Sequence, residues 1–328
     1  MKYGRRFLAG TLIVLGALCQ AAVARAANIN VVWTSEVGQF APLWITKEAK
    51  LFEKYGNQVQ LIFIQGAASA AAALSSDDAQ VGMFSPQVVI STPALELVMF
   101  GRLGNTMDNR IYARKGIKSL KEVKRIAISR FGSNADFAAR YLLQREGLRP
   151  DTDVALLQVG NQANRIAAVE TANADAAMLT PPMTLQARKL GFSLIADASK
   201  LGIPYSSLFF VSRRPYLTKN RADLVNFTKA MIEGVHYYKA NKEFSMKVIG
   251  KYMKVQDREV IEENFREYDF PLKPYPAKEY YELPIQEVGK KDPKVLKEDP
   301  ERFADQSLVK ELDASGFIDK LTKEYKVK

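Results

Sequence analysis

The chain has 328 residues, 47% hydrophobic and 25% charged, with 47 lysines and arginines against 36 acidic residues and a net charge of +11. That length buries one or two good cores. The positive charge is spread along the chain rather than gathered into arginine-rich runs interleaved with aromatics, which excludes nucleic acid as a partner. An evenly spread basic surface also steers anions electrostatically.

Lys2, Arg5 and Arg6 precede an apolar run from Phe7 to Leu18, too short to span a bilayer stably, and Ala24-Arg25-Ala26 offers small residues for cleavage. Residues 1–26 therefore read as a secretory signal peptide, which puts the mature chain in the periplasm. The Arg5-Arg6 pair lies one position too close to Phe7-Leu8 for a twin-arginine signal, and Leu18 stands where a lipoprotein signal wants a small residue before Cys19. Loss of Lys2, Arg5, Arg6 and Arg25 lowers the charge from +11 to +7. The single cysteine goes too, so the mature chain holds no disulfide and no thiolate metal site.

The first strand is read over Ile29–Trp33 and ends in Thr34-Ser35; a helix starting near Phe40-Ala41-Pro42 runs to Gly56. A strand over Val59–Ile64 leads through Gln65-Gly66 into a helix of small residues, Ala67–Leu74. This first unit closes with Gln80-Val81-Gly82-Met83-Phe84-Ser85-Pro86. Leu95 to Arg114 holds two strand-like runs around Gly104-Asn105-Thr106. Then the pattern recurs. Arg125–Ser129 reads as a buried strand, and Ser133 with Asp136 three places on is an N-cap followed by a first-turn carboxylate, opening a helix to Gly147. Strand Val154–Val159, turn Gly160-Asn161, a helix and Asp175–Pro181 complete the second unit.

Ser35 precedes Ser129 by 94 positions, Gly66 precedes Gly160 by 94, and Ser85-Pro86 precedes Thr180-Pro181 by 95. Two βαβαβ units of near-equal length predict two Rossmann-like α/β lobes. Ligands on such sheets sit beyond the carboxyl ends of the strands, where free amides and positive helix dipoles suit an anion. Leu95–Arg114 and Ile203–Val211 read as the crossing and the return. That makes lobe one discontinuous, 27–110 and 205–328, with lobe two over 111–204. A stripe of Leu224, Phe227, Met231, Val235 and Tyr238 on a helix from Arg221 to Asn241 is core packing, and the one histidine, His236, sits on its flank without catalytic partners. Prolines 271, 274, 276 and 284 mark an irregular wrap over lobe one or toward the cleft rim, 290–301 reads as solvated, and Ser307–Leu321 is the last helix.

The Ser35 turn, the alanine-rich helix after Gln65-Gly66 and the sequence Gln80-Val81-Gly82 before Ser85-Pro86 carry a family resemblance. Gly116-Ile117-Lys118-Ser119-Leu120-Lys121 and Ser315-Gly316-Phe317-Ile318-Asp319 extend it. Together they resemble the substrate-binding proteins of nitrate/sulfonate/taurine-type ABC importers, also called thiamine-precursor-binding-like, over essentially the whole mature chain. The resemblance implies a type II periplasmic binding protein fold, two lobes joined by two crossover strands that close on a small ligand. It also implies a monomer that delivers an anionic solute to an ABC permease in the inner membrane, with no cofactor, metal or catalytic residue.

Carried over position by position, the resemblance gives Trp33, Thr34, Ser35, Gln65, Gly66, Ala67 and Ser85 from lobe one. From lobe two it gives Ser129, Phe131, Gly132, Ser133, Asn134 and Thr180, with Tyr205 and Ser206 at the return crossing. Trp33 reads either as a wall of the cleft or as core; the cleft is the reading taken for it. Glu36 and Asp136 are the carboxylates expected near the cleft, Asp136 more simply supporting its own helix. Hydroxyls, amides and backbone N–H groups can hold a desolvated anion without a counter-ion. The expected ligand is a sulfonate or carboxylate, aromatic ones included; the alternatives are a receptor for a pyrimidine or thiamine precursor and a sensory periplasmic binding subunit. Nitrate is disfavoured because its receptors in the family use a pocket histidine. Catalysis of the related pyrimidine-synthase kind needs cysteine and histidine chemistry that the mature chain does not carry.

Overall fold

The structure is a computed structural model that describes residues 27–327; the signal-peptide reading and Cys19 lie outside them. Among the described residues, ten strands form two five-stranded sheets. The strands are β1 (Ala27–Trp33), β2 (Asn57–Phe63), β3 (Val81–Phe84), β4 (Leu97–Arg102), β5 (Arg110–Ala113), β6 (Arg125–Ile128), β7 (Ala155–Gln158), β8 (Ala176–Leu179), β9 (Ser193–Asp197) and β10 (Phe209–Arg213). One sheet has the order β2-β1-β3-β10-β4 and the other β7-β6-β8-β5-β9. In each, three strands run parallel, and the fourth (β10 or β5) is antiparallel to both neighbours. The fold is therefore two mixed α/β lobes built on one plan, as the repeat predicts.

Alternation along the strands sets two layers of core. In β1, Val31 and Trp33 face one apolar cluster with Trp44, Phe52 and Phe227, while Val32 faces another with Phe84, Met99 and Phe209. In β6, Ile126 and Ile128 face Phe137 and Leu143, while Ala127 faces Ile166 and Leu179. Helices thus cover both faces of each sheet, the arrangement parallel strands require. Full burial of each large side chain contributes roughly 1.5–3 kcal/mol.

The chain leaves the first sheet after β4 and returns to it as β10. The two crossing segments lie side by side: Leu103 N donates to Leu208 O at 2.9 Å, Gly104 N to Ser206 Oγ at 3.2 Å and Tyr205 N to Asn105 O at 3.3 Å. Gly104 is needed for that approach, because a Cβ there would meet Ser206 Oγ at 3.1 Å.

The expected elements differ from the observed ones at chain reversals. The first helix breaks, because Lys50 adopts a left-handed conformation between Ala41–Glu48 and Leu51–Lys54. The last helix is two, Ser307–Ala314 and Phe317–Tyr325, parted by Gly316 at φ +73°. His236 is fully buried inside Arg221–Ala240, its ring nitrogens 2.8 Å from Ile232 O and 3.0 Å from Thr322 Oγ1, and burial lowers its pKa. That is a core histidine.

Candidate functional site

The turns that leave the parallel strands face one another across the gap between the lobes. Gly66 and Gly160, equivalent in the repeat, both adopt left-handed φ (+94° and +92°), which lets each chain turn sharply from strand end into helix. From the opposite lobe Arg130 reaches Gly66 closely enough that a Cβ on the glycine would lie 3.1 Å from Nη1. No carboxylate lies within ion-pair distance of Arg130 among the described residues. Gly66 opens the helix Ala67–Ser75 with no side-chain cap, so its first amides and positive dipole end meet that guanidinium across the gap.

A chain of polar side chains crosses the same gap. Gln87 Nε2 donates to the Tyr205 hydroxyl at 3.0 Å, Tyr205 donates to Asn134 Oδ1, and Asn134 Nδ2 donates to Asn109 Oδ1 at 2.9 Å. Gln87 belongs to lobe one, Asn134 to lobe two, and Asn109 and Tyr205 to the two crossing segments. Tyr205 is fully buried and stacked on Phe137, ring centroids 5.5 Å apart and planes 6° from parallel; burial raises its pKa. Nearby, Gln39 Nε2 donates to Ser207 Oγ, and Tyr268 OH donates to Pro181 O at 3.0 Å. Arg188–Glu263 at 2.5 Å and Arg110–Glu267 at 2.8 Å add ion pairs between the lobes.

Several expected residues have other tasks. Trp33 is 6% exposed and ringed by Phe40, Trp44, Phe63 and Tyr252 at centroid distances of 4.7–6.3 Å, so it is packed as core. Phe131 is 52% exposed and lies by Arg140, its ring centroid 5.9 Å from Cζ. The amides of Phe131 and Gly132 are not free, since they donate to Gln158 Oε1 and Asp136 Oδ2, both at 2.8 Å. Ser129 and Ser133 bond each other at 2.8 Å, Ser133 caps Asp136 N, and Thr180 bonds Gln162 through both its amide and its hydroxyl. Ser206 is fully buried, accepting from Gly104 N and donating to Leu208 O. Thr34 reaches Met83 O only at 3.5 Å. Ser35, Gln65, Ala67 and Ser85 line the lobe-one turns, and no side-chain hydrogen bond engages them among the described residues.

Glu36 is on the surface, paired with Lys254 at 3.0 Å, and Asp136 is buried against Arg140 at 2.7 Å. A partly buried carboxylate at the crossings is Asp108, which the sequence reading missed. It lies in the outward crossing two residues before Arg110. Its Oδ1 is buried without a partner, and burial pushes its pKa up to about 6 against the opposing pull of Arg110 and the Ser207 hydroxyl. No periodicity marks such a residue, because it sits in irregular chain between strands of different sheets. Asn109 was missed for the same reason; Gln87, in the helix Pro86–Ser91, and Gln39 and Tyr268, beside helix ends, were missed as ordinary polar positions. Lobe two adds Arg165, buried at the carboxyl end of β8 with Nη1 on Met178 O and Nε unpartnered; burial lowers its pKa to about 10.

Two α/β lobes with facing strand ends, joined by two paired crossings, define the fold of the periplasmic binding proteins. Solved structures show it: the periplasmic aliphatic sulphonate binding protein SsuA of Escherichia coli superposes with a TM-score of 0.70 at 20% identity, over 82% of this chain and 94% of that one. The periplasmic nitrate-binding protein NrtA of Synechocystis PCC 6803 superposes with a TM-score of 0.72 at 16% identity, over 88% and 89%. A Bacillus subtilis (strain 168) protein, YtlA, described as a candidate binding protein, is 22% identical over 203 residues; the match spans 58% of this chain and 60% of YtlA. The NMT1-like family model matches residues 30–250, and the chain belongs to that family.

Proposed function

We propose that this protein is the solute-binding component of an ABC importer, a non-catalytic periplasmic receptor that closes two lobes on a small organic anion, sulfonate or carboxylate, and presents it to a permease. The observation that carries the reading is the unpaired Arg130 of one lobe set against the bare Gly66 turn of the other. Both sides of that gap are electropositive and neither is neutralised by the protein, so a bound anion would satisfy both at once. A ligand touching both lobes favours the closed state by its differential affinity for it. The kinship with binding proteins named for sulphonate and nitrate supports the class of ligand. Nitrate itself is disfavoured, because the only histidine, His236, is buried in the core of lobe one.

The test is calorimetric titration with a panel of alkanesulfonates and carboxylates, together with native mass spectrometry of freshly purified protein. Saturable binding of at least one anion, or an anion retained through purification, is expected. Binding of none, with a ligand-free mass, contradicts the reading.

A further inference from the structure

The helix Arg258–Glu267 is seated on lobe one by one side and meets lobe two by another. On the lobe-one side Gly38 N donates to Asn264 Oδ1 at 3.1 Å, and Ile261 and Phe265 pack against the core around Trp44 and Phe52. Two of its charges are paired there as well, Arg258 with Glu243 at 3.2 Å and Glu262 with Lys242 at 2.5 Å. Glu259, Glu263 and Glu267 recur every fourth residue, which stacks them along one face of a helix. Each meets a different cation of lobe two: Glu259 pairs with Lys189 at 2.5 Å, Glu263 with Arg188 at 2.5 Å and Glu267 with Arg110 at 2.8 Å. Arg188 and Lys189 end the helix Met183–Lys189; Arg110 opens β5 and is held from its own lobe by Asp197 at 3.2 Å. Past the last glutamate, Tyr268 OH donates to Pro181 O at 3.0 Å, beside Thr180. Isolated surface pairs contribute little, but these three form one row, and Glu263 is buried.

We infer that the helix Arg258–Glu267 is an electrostatic latch, whose row of three glutamates draws lobe two toward lobe one before any solute binds. The inference rests on the reading of two closing lobes but not on which solute they close on. Parting the lobes breaks all three pairs at once and returns six charges to water, so the latch acts as a unit. It populates the closed form part of the time, and the solute completes the shift. A solute then meets a receptor already partly closed, and its apparent affinity rises with that closed fraction.

The experiment is solution scattering on the ligand-free protein in a salt series, extrapolated to infinite dilution to remove repulsion between molecules. The Debye length shrinks from ~30 Å at about 0.01 M salt to ~3 Å at about 1 M, so the row is progressively screened. The wild type is expected to have a smaller radius of gyration at low salt than at high salt, its closed-to-open ratio changing at least about threefold. The double variant Arg188→Gln/Lys189→Gln should keep the high-salt radius throughout. It should still fold, because Glu263 retains Arg266 at 2.8 Å within its own helix and the Lys189 side chain is half-exposed. A wild-type radius that ignores salt, or a double variant that contracts at low salt as the wild type does, overturns the latch. Either result leaves solute-driven closure intact, since no solute enters the experiment. A salt-dependent radius in a protein that binds no anion supports the latch and defeats the receptor reading. The wild-type series needs no variant and decides the matter even if the double variant is unstable.

Discussion

The two lobes repeat one another in sequence and topology, yet their cleft turns are finished differently. In lobe two the turn side chains are committed to the turn itself. Ser133 and Asn161 cap their helices, Asp136 and Gln158 hold the loop amides, and Gln162 ties down Thr180. In lobe one the matching turns are bare, with uncapped helices after Gly66 and Ser85. The difference assigns two roles. Lobe two is preorganised and projects side-chain arms, Arg130 and Asn134. Lobe one offers unspent amides and hydroxyls. Preorganised and unsatisfied groups together are what a receptor needs to bind without first rearranging.

The largest expected effect tests the arm. Arg130→Glu puts a negative charge at the Gly66 turn and should lower affinity for an anion by at least about 100-fold, about 2.7 kcal/mol in a titration. Because Arg130 is exposed, the melting temperature should hold within about 2 °C. A matching fall in melting temperature would show that Arg130 is structural. Next, valine at either glycine of the repeat must adopt a left-handed φ, which costs about 2 kcal/mol in chemical denaturation. Gly66→Val should also lose ligand affinity, since its Cβ meets Arg130. Gly160→Val has nothing within 4 Å and should not. Equal affinity losses would erase the distinction between the turns.

Asp108 gives a pH signature in the free protein. Its folded pKa of about 6 lies above the ordinary carboxylate value, so between pH 6 and 4 the folded state binds more proton than the unfolded state. Wild type should therefore gain stability relative to Asp108→Asn as pH falls through that window. At pH 7 the asparagine variant should be more stable by ~2 kcal/mol. A stability difference that does not change between pH 7 and 4 would contradict a desolvated carboxylate at this position. The smallest effect sharpens the comparison of caps. Ser133→Ala should cost about 1 kcal/mol, whereas Ser85→Ala should stay within about 0.5 kcal/mol and show its effect only in ligand affinity.

The sequence made the lobes legible because each rests on a local signal: β-branched strands such as Ile29–Trp33, glycine turns at 66 and 160, and a serine cap at 133. The crossings were visible too, as strand-like runs around Gly104. What escaped was whatever depends on contact between distant segments. Trp33 ends a strand at the cleft edge, but Phe40, Trp44 and Tyr252 enclose it, and only the folded chain brings Tyr252 there. The free amides expected at Phe131 and Gly132 were claimed by Gln158 and Asp136, side chains whose reach no spacing rule reports. Asp108 lies in irregular chain, where charge alone does not separate a buried acceptor from a solvated one. The final helix looked continuous because its apolar stripe runs through Gly316, where the backbone turns left-handed.

The central claim is that these two lobes close on a solute, and solution scattering tests it most directly. The protein stripped of ligand by partial unfolding and refolding should show a larger radius of gyration than the same protein saturated with a tightly bound anion from the titration panel. The saturated form should match the scattering calculated for the closed arrangement in which Arg130 meets Gly66. An identical radius in both states would contradict closure around a solute.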